Sequence, residues 1–398
     1  MIDYSSLLSG KVQEIKPSGI RKFSELAAEM GNVISLGVGE PDFQTPWVIR
    51  QAGIESLERG RTHYSPNAGF RELKQEIDRY LERRMGLSYS EEETMVTIGG
   101  SEAIDMMIRA VIDPGDEVLI PEPCYVSYDP IARLTGAKVV SIPTRFEDDF
   151  RLTAEALKAA ITPKSKLLIF PYPNNPTGGI MEREDLEAIA EVLRDTNILV
   201  LSDEIYAELT YGGKKHVSIA SIDGMRERTI VVNGFSKTYA MTGWRLGYAV
   251  GPAPLIREMI KIHQFAIMCA PTTSQLAAVE ALRSCDEEIE AMRDEYDMRG
   301  KYLVGELNRI GLECFQPQGA FYVFSSIRRT GLSSEEFCER LLREERVAVI
   351  PGSAFGSWGE GHIRISYCYS LQHLKIAVRK IEKFLKKLER EKHENGQG

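Results

Sequence analysis

Between about residue 94 and residue 250 the chain alternates short apolar runs with stretches whose apolar residues recur at helical spacing. The runs Met95–Ile98, Glu117–Ile120, Lys138–Ile142, Lys166–Phe170, Ile198–Leu201, Thr229–Val232 and Tyr248–Val250 predict seven strands. Several of them are apolar at successive positions, the pattern of a strand covered on both faces. Trp47–Glu58, Phe70–Arg84, Glu102–Ile112 and Glu182–Arg194 keep their apolar residues on one side of a helix and predict helices. Strand and helix in alternation predict an α/β layered domain with a mostly parallel sheet.

Beyond about residue 290 the pattern changes. A long charged helix over roughly Asp286–Asn308 leads into Gly319-Ala320-Phe321-Tyr322-Val323-Phe324, a further helix, and short strands at Ala348–Pro351 and His362–Ser366. The last predicted helix, Leu371–Leu388, ends in a solvated charged tail. These elements predict a second, smaller α+β domain, which the residues before about 47 join. The expected division is 48–290 for the large domain and 1–47 plus 291–398 for the small one.

Composition narrows the function. The 398 residues are 43% hydrophobic and 27% charged, enough for one large core and a smaller one. A net charge of -9 argues against a nucleic-acid partner but says nothing about small anions, which one arginine can bind. Six cysteines, without a Cys-x-x-Cys pair, read as reduced thiols rather than a disulfide framework or a metal site. No apolar stretch approaches the ~20 residues of a membrane span, and the first residues carry no apolar run of signal length. The expected compartment is the cytoplasm.

Candidate chemistry clusters where predicted strands end. Gly99-Gly100-Ser101-Glu102 follows a strand and opens a helix, either a simple capped turn or a seat for a phosphate on free backbone N–H groups. Asn174-Asn175-Pro176-Thr177-Gly178-Gly179 makes a turn after another strand, where open α/β sheets bind ligands. Asp203 closes an apolar strand, in Ser202-Asp203-Glu204-Ile205-Tyr206. Its carboxylate could cap the next helix or face a protonated ring nitrogen, and burial without either would be costly. Ser236-Lys237 precedes Gly243-Trp244-Arg245-Leu246-Gly247, offering an amine for a Schiff base and an arginine for a phosphate. Arg364, in the strand His362–Ser366, carries the guanidinium fork that suits a carboxylate.

Taken in order, these residues resemble a known family. Gly39-Glu40-Pro41-Asp42-Phe43, Tyr64-Ser65-Pro66-Asn67-Ala68-Gly69, Gly100-Ser101, Asn175-Pro176-Thr177-Gly178, Ser202 to Tyr206, Ser236-Lys237 with Gly243-Trp244-Arg245, and Arg364 stand at the spacing of the class I/II aminotransferases. The likeness runs from about Lys16 to the C-terminal helix. It is strongest to the branch holding aspartate, aromatic and N-acetyl-diaminopimelate aminotransferases.

The resemblance implies a fold-type I enzyme dependent on pyridoxal 5'-phosphate (PLP), with a mostly parallel seven-stranded sheet in its large domain. It implies that Lys237 forms the Schiff base with PLP and carries protons. Asp203 would pair with the ring nitrogen, and Asn175 and Tyr206 with the ring oxygen. Gly100, Ser101, Ser236 and Arg245 would hold the phosphate, Glu102 would join the cofactor-binding set, and Tyr125 would stack on the ring. Gly39, Asn175 and Arg364 would bind the substrate α-carboxylate. Tyr64 would reach the phosphate from the neighbouring subunit, which makes a homodimer part of the site.

The activity implied is ping-pong transfer of an amino group from an L-amino acid, of aspartate or aromatic type, to a 2-oxo acid such as 2-oxoglutarate. A C–S β-lyase would use the same lysine, aspartate and arginine, and some regulators carry a non-catalytic domain of this kind. A dicarboxylic substrate needs a second cation. Arg21 in Ser18-Gly19-Ile20-Arg21, Arg109 and His263 are the residues considered for it.

Overall fold

The computed structural model describes residues 2–17 and 19–395. Seven strands form its large sheet: β1 (Thr94–Thr97), β2 (Glu117–Glu122), β3 (Lys138–Pro143), β4 (Ser165–Phe170), β5 (Leu199–Asp203), β6 (Thr229–Gly234) and β7 (Gly247–Val250). They lie in the order β1-β7-β6-β5-β4-β2-β3. β2 to β6 are parallel to one another, while β7 runs antiparallel to both β6 and β1. Each strand was legible as an apolar run. β1, β2, β6 and β7 are buried along their whole length, whereas the edge strand β3 exposes Lys138 and Ser141. A charged, partly solvated edge keeps another chain from pairing there.

The helices form for reasons visible in the chain. In Arg71–Met85 the buried Leu73, Ile77, Tyr80 and Leu81 share one face. Gly86 ends that helix at φ +67°, a left-handed conformation that costs glycine little. Helices cover both faces of the sheet, with one core around Ile77, Tyr80 and Phe235 and another around Met107, Ile108 and Ile120.

A second sheet holds β8 (Tyr322–Ser326), β9 (Ile350–Pro351) and β10 (His362–Ser366), antiparallel, in the order β9-β10-β8. Its core includes Phe23 and Leu36 from the N-terminal part of the chain. The segment Ala348–Pro351 is not one strand. Val347–Ala348 pairs in parallel with Ile34–Ser35, and Ile350–Pro351 pairs with β10. Two partners on different sides divide a run that is uniformly apolar in sequence. The charged tail after Leu388 is mostly exposed, as expected, but it is helical: the last helix is continuous over Leu371–Asn395. Arg340 holds Glu391 at 2.8 Å and Arg329 holds Glu389 at 2.9 Å, so its charges dock onto the neighbouring helix and turn. Among the described residues no helix is long and apolar enough to cross a membrane.

The topology gathers the motifs at one edge. β4, β5 and β6 run parallel and end at Phe170, Asp203 and Gly234, so Asn175, Asp203 and Lys237 emerge side by side. β7 runs the other way, so its start, just after Arg245, lies at the same edge.

Candidate active site

A cavity of ≈ 280 Å³ opens at that edge. All the predicted site residues line it except Glu102 and Tyr64.

Lys237 stands in a single helical turn after β6, and its Nζ donates to the Gly39 carbonyl at 2.7 Å. Burial lowers its pKa to about 8, with the nearby Arg364 and Arg245 cations acting the same way and Glu40 opposing. An amine so placed is partly neutral near physiological pH and ready to act as nucleophile or base.

Asp203 is buried at the end of β5. Its carboxylate accepts the Tyr128 hydroxyl at 2.7 Å and the Ile205 N–H at 3.2 Å. Burial raises its pKa, and no cation counts among the causes acting on it. A buried carboxylate with hydrogen bonds but no opposite charge is suited to a cationic ligand group such as a protonated ring nitrogen.

The phosphate-like seat is built from backbone. Gly99 opens the helix Gly99–Val111 at φ +73°, and the first N–H groups of that helix lack intrahelical partners. A Cβ on Gly99 would come within 2.8 Å of Arg245 Nη2, so the glycine is what lets the guanidinium lie against the helix start. Gly100, Ser101 and Ser236 line the same end of the cavity. The Glu102 side chain turns elsewhere. Its carboxylate accepts the Ile98 N–H and pairs with the buried His263 at 2.8 Å, bracing the helix start from behind.

Arg364 projects from β10 and is 2% exposed. Its guanidinium donates to Asn175 Oδ1 at 2.9 Å and to the Gly37 carbonyl, and Nε has no partner. Tyr322 and Phe355 flank it at 4.4 and 4.8 Å. Held between two rings, the fork keeps a fixed plane, as bidentate carboxylate capture requires. Tyr206 lines the cavity with its hydroxyl 2.9 Å from that of Tyr322. Tyr125 meets Tyr128 edge to face at 5.6 Å. Gly39 is a fixed point of the wall: a Cβ there would overlap the Tyr322 hydroxyl.

Sequence reasoning missed Tyr128, Tyr322, Gly37 and Phe355. Tyr128 follows Tyr125 at the start of a helix, a spacing that could have drawn attention to it. Tyr322 had no local signal, because an aromatic in an apolar strand reads as core. Within the Gly39–Phe43 motif, Asp42 works at a distance from the cavity. It binds Arg299 of the long helix Asp286–Arg309 at 2.9 Å, and Phe43 packs on Tyr296, which together pin the loop that carries Gly39.

The three residues considered for a second cation are engaged elsewhere in this chain. Arg21 is exposed and faces Glu25 at 3.8 Å, Arg109 binds Asp105 at 2.8 Å, and His263 is buried on Glu102. None lines the cavity of this chain. Ser18, in the segment before Arg21, lies outside the described residues. Tyr64 is 80% exposed and away from the cavity of its own chain.

The site thus offers an anion seat, a carboxylate seeking a cation, an amine with a lowered pKa and a buried arginine fork. PLP matches that set through its phosphate, its ring nitrogen and its aldehyde, and leaves the arginine for a substrate carboxylate.

Comparison with known proteins gives the same picture. Residues 31–381 match the family model described as aminotransferase class I and II. The chain is 46% identical to an aspartate aminotransferase of Pyrococcus abyssi, covering 95% of this chain and 98% of that one. It is 44% identical to aromatic-amino-acid aminotransferase 2 of Thermococcus litoralis, over 95% and 98% of the two chains. The solved aspartate aminotransferase of Thermus thermophilus with maleate superposes with a TM-score of 0.91 at 37% identity, covering 94% of this chain and 99% of that one. The chain belongs to the class I and II aminotransferases: it is a PLP-dependent transaminase working on amino acids and 2-oxo acids.

Proposed function

We propose that the enzyme moves the amino group of an aspartate- or aromatic-type L-amino acid to 2-oxoglutarate by a ping-pong cycle. The observation that carries this reading is one cavity shared by the buried Lys237 amine with its lowered pKa, the cation-free Asp203 carboxylate and the buried Arg364 fork. The names of the Pyrococcus and Thermococcus relatives support the substrate type. A panel of amino donors with 2-oxoglutarate, read by formation of the 2-oxo products, tests it. Turnover confined to donors outside both types would overturn it.

The shared cavity supports the following residue roles. Gly100, Ser101, Ser236 and Arg245 hold the phosphate, Asp203 pairs with the ring nitrogen, Asn175 and Tyr206 meet the ring oxygen, and Tyr125 packs on the ring. When bound, PLP supplies an aldehyde that takes up amino groups and a ring that accepts electrons from the substrate Cα. Arg364 and Asn175, beside Gly39, grip the substrate α-carboxylate and so fix which bond at Cα is presented. Lys237 takes the Cα proton as base and returns one as acid.

Arg364→Leu is expected to lower kcat/KM by about 10²–10³-fold, the cost of leaving a buried carboxylate without its charge partner. PLP affinity, read by absorbance titration, stays near wild type. Equal loss of both would count against the carboxylate role.

We further propose a homodimer in which Tyr64 completes the phosphate seat of the partner. The exposure of Tyr64, Trp47 (59%) and Phe265 (87%) supports it, since large aromatics in water favour a partner surface. We divide the chain at about residues 47 and 290. Ile289 joins the core around the large sheet, while Met292 and Tyr296 on the same helix join that around the small one. Six free cysteines, five of them buried, support a cytoplasmic location.

A further inference from the structure

We propose that Tyr322 is a positioning residue that fixes the Tyr206 hydroxyl toward the ring oxygen of PLP and links that hydroxyl to the Arg364 carboxylate site. The inference rests on the assignment of Tyr206 made above.

Three contacts converge on Tyr322. Its hydroxyl lies 2.9 Å from that of Tyr206. Its ring carries the Arg364 guanidinium at 4.4 Å. Its hydroxyl also fills the space beside Gly39, whose carbonyl holds the Lys237 amine at 2.7 Å. The strand pairing makes this arrangement rigid. Arg364 sits opposite Phe324 and Ser366 opposite Tyr322, so Tyr322 and Arg364 are diagonal neighbours on one face of the small sheet.

The direction of the hydrogen bond follows from donor arithmetic. A phenol has one O–H and can also accept. If Tyr206 spends its proton on the ring oxygen, the bond between the two tyrosines must run from Tyr322 O–H to Tyr206 oxygen. A phenol that accepts one hydrogen bond is a better donor of the next. Tyr322 therefore both aims Tyr206 and strengthens it. The Tyr322 ring packs against the arginine cation, so one side chain from the small sheet sets two subsites at once.

The test uses PLP-loaded enzyme and reads the pH midpoint of its visible absorbance change, not turnover alone. A donor to the ring oxygen stabilises the negative charge that oxygen carries once the Lys237 linkage loses its proton. Loss of that donor raises the midpoint. Tyr322→Phe keeps the ring and removes only the hydroxyl. It is expected to raise the midpoint by about 0.5–1 pH unit, the size of one hydrogen bond. Its KM for the amino donor is expected to stay within about twofold of wild type, because the ring still flanks Arg364. In a Tyr206→Phe background the same substitution is expected to add no shift, because Tyr322 acts through Tyr206.

An unmoved midpoint in Tyr322→Phe overturns the proposal. So does an equal shift with and without Tyr206. If Tyr206→Phe alone leaves the midpoint in place, the earlier assignment of Tyr206 fails and this one falls with it. If Tyr206→Phe moves the midpoint and Tyr322→Phe does not, only the role of Tyr322 is lost.

Discussion

Lys237→Ala is expected to abolish transamination and to leave no lysine that borohydride can fix to PLP. Two functions disappear together. The covalent attachment of PLP goes, and so does the amine that carries the proton at the substrate Cα. A positioned acid–base group alone is worth about 10²–10⁴ in rate. The loss in kcat is therefore expected to reach at least about 10⁴-fold once attachment is counted as well. The protein should still fold, because the side chain makes a single hydrogen bond, to the Gly39 carbonyl. PLP should still bind non-covalently through the phosphate seat. Wild-type turnover in this variant would end the case.

The same lysine yields a pH expectation. Burial brings its pKa down to about 8 from the ordinary 10.5. Only the neutral amine attacks an aldehyde. The rate at which PLP-free protein captures PLP should therefore rise with pH up to about 8 and then level. A rate still climbing about tenfold per pH unit well above that point would mean that the amine keeps its ordinary pKa.

The sequence carried most of the large sheet because its strands are short apolar runs with turn residues at their ends. β2, β4 and β6 could hardly be anything else once helical spacing was absent. The site was legible for a related reason. Asp203, Asn175 and Lys237 each follow directly from a strand end, and the parallel order brings strand ends together. What the chain hid depends on pairing between distant segments. The break at Val349 arises because Val347–Ala348 and Ile350–Pro351 find partners far away in sequence. Tyr322 acquires a role only because β8 pairs with β10 and Tyr206 arrives from the other sheet. Arg109 and His263 could not be placed from the letters alone; their acidic partners stand four residues away in one case and on a different helix in the other.

Asp203→Asn tests the electronic half of the site without changing its shape. Asparagine fills the same volume; its Oδ1 can still accept the Ile205 N–H, and where Asp203 Oδ2 accepted the Tyr128 hydroxyl its Nδ2 would donate to that hydroxyl, which can turn to accept. Packing and fold should survive, while the negative charge is lost and the hydrogen bond with Tyr128 reverses its direction. That charge is what keeps a ring nitrogen protonated in a buried site. Breaking a buried charge pair by removing one member costs roughly 3–5 kcal/mol, so kcat should fall by about 10²–10³-fold. PLP should also dissociate more readily, because the same pairing contributes to its binding. Asp203→Glu restores the charge but displaces it by one methylene, and should recover part of the rate. The order wild type, Glu, Asn in kcat, with folding unchanged by circular dichroism, is the expected result. If Asn and wild type turn over alike, the buried carboxylate has only a structural task, and the electron-accepting role assigned to this end of the site is wrong.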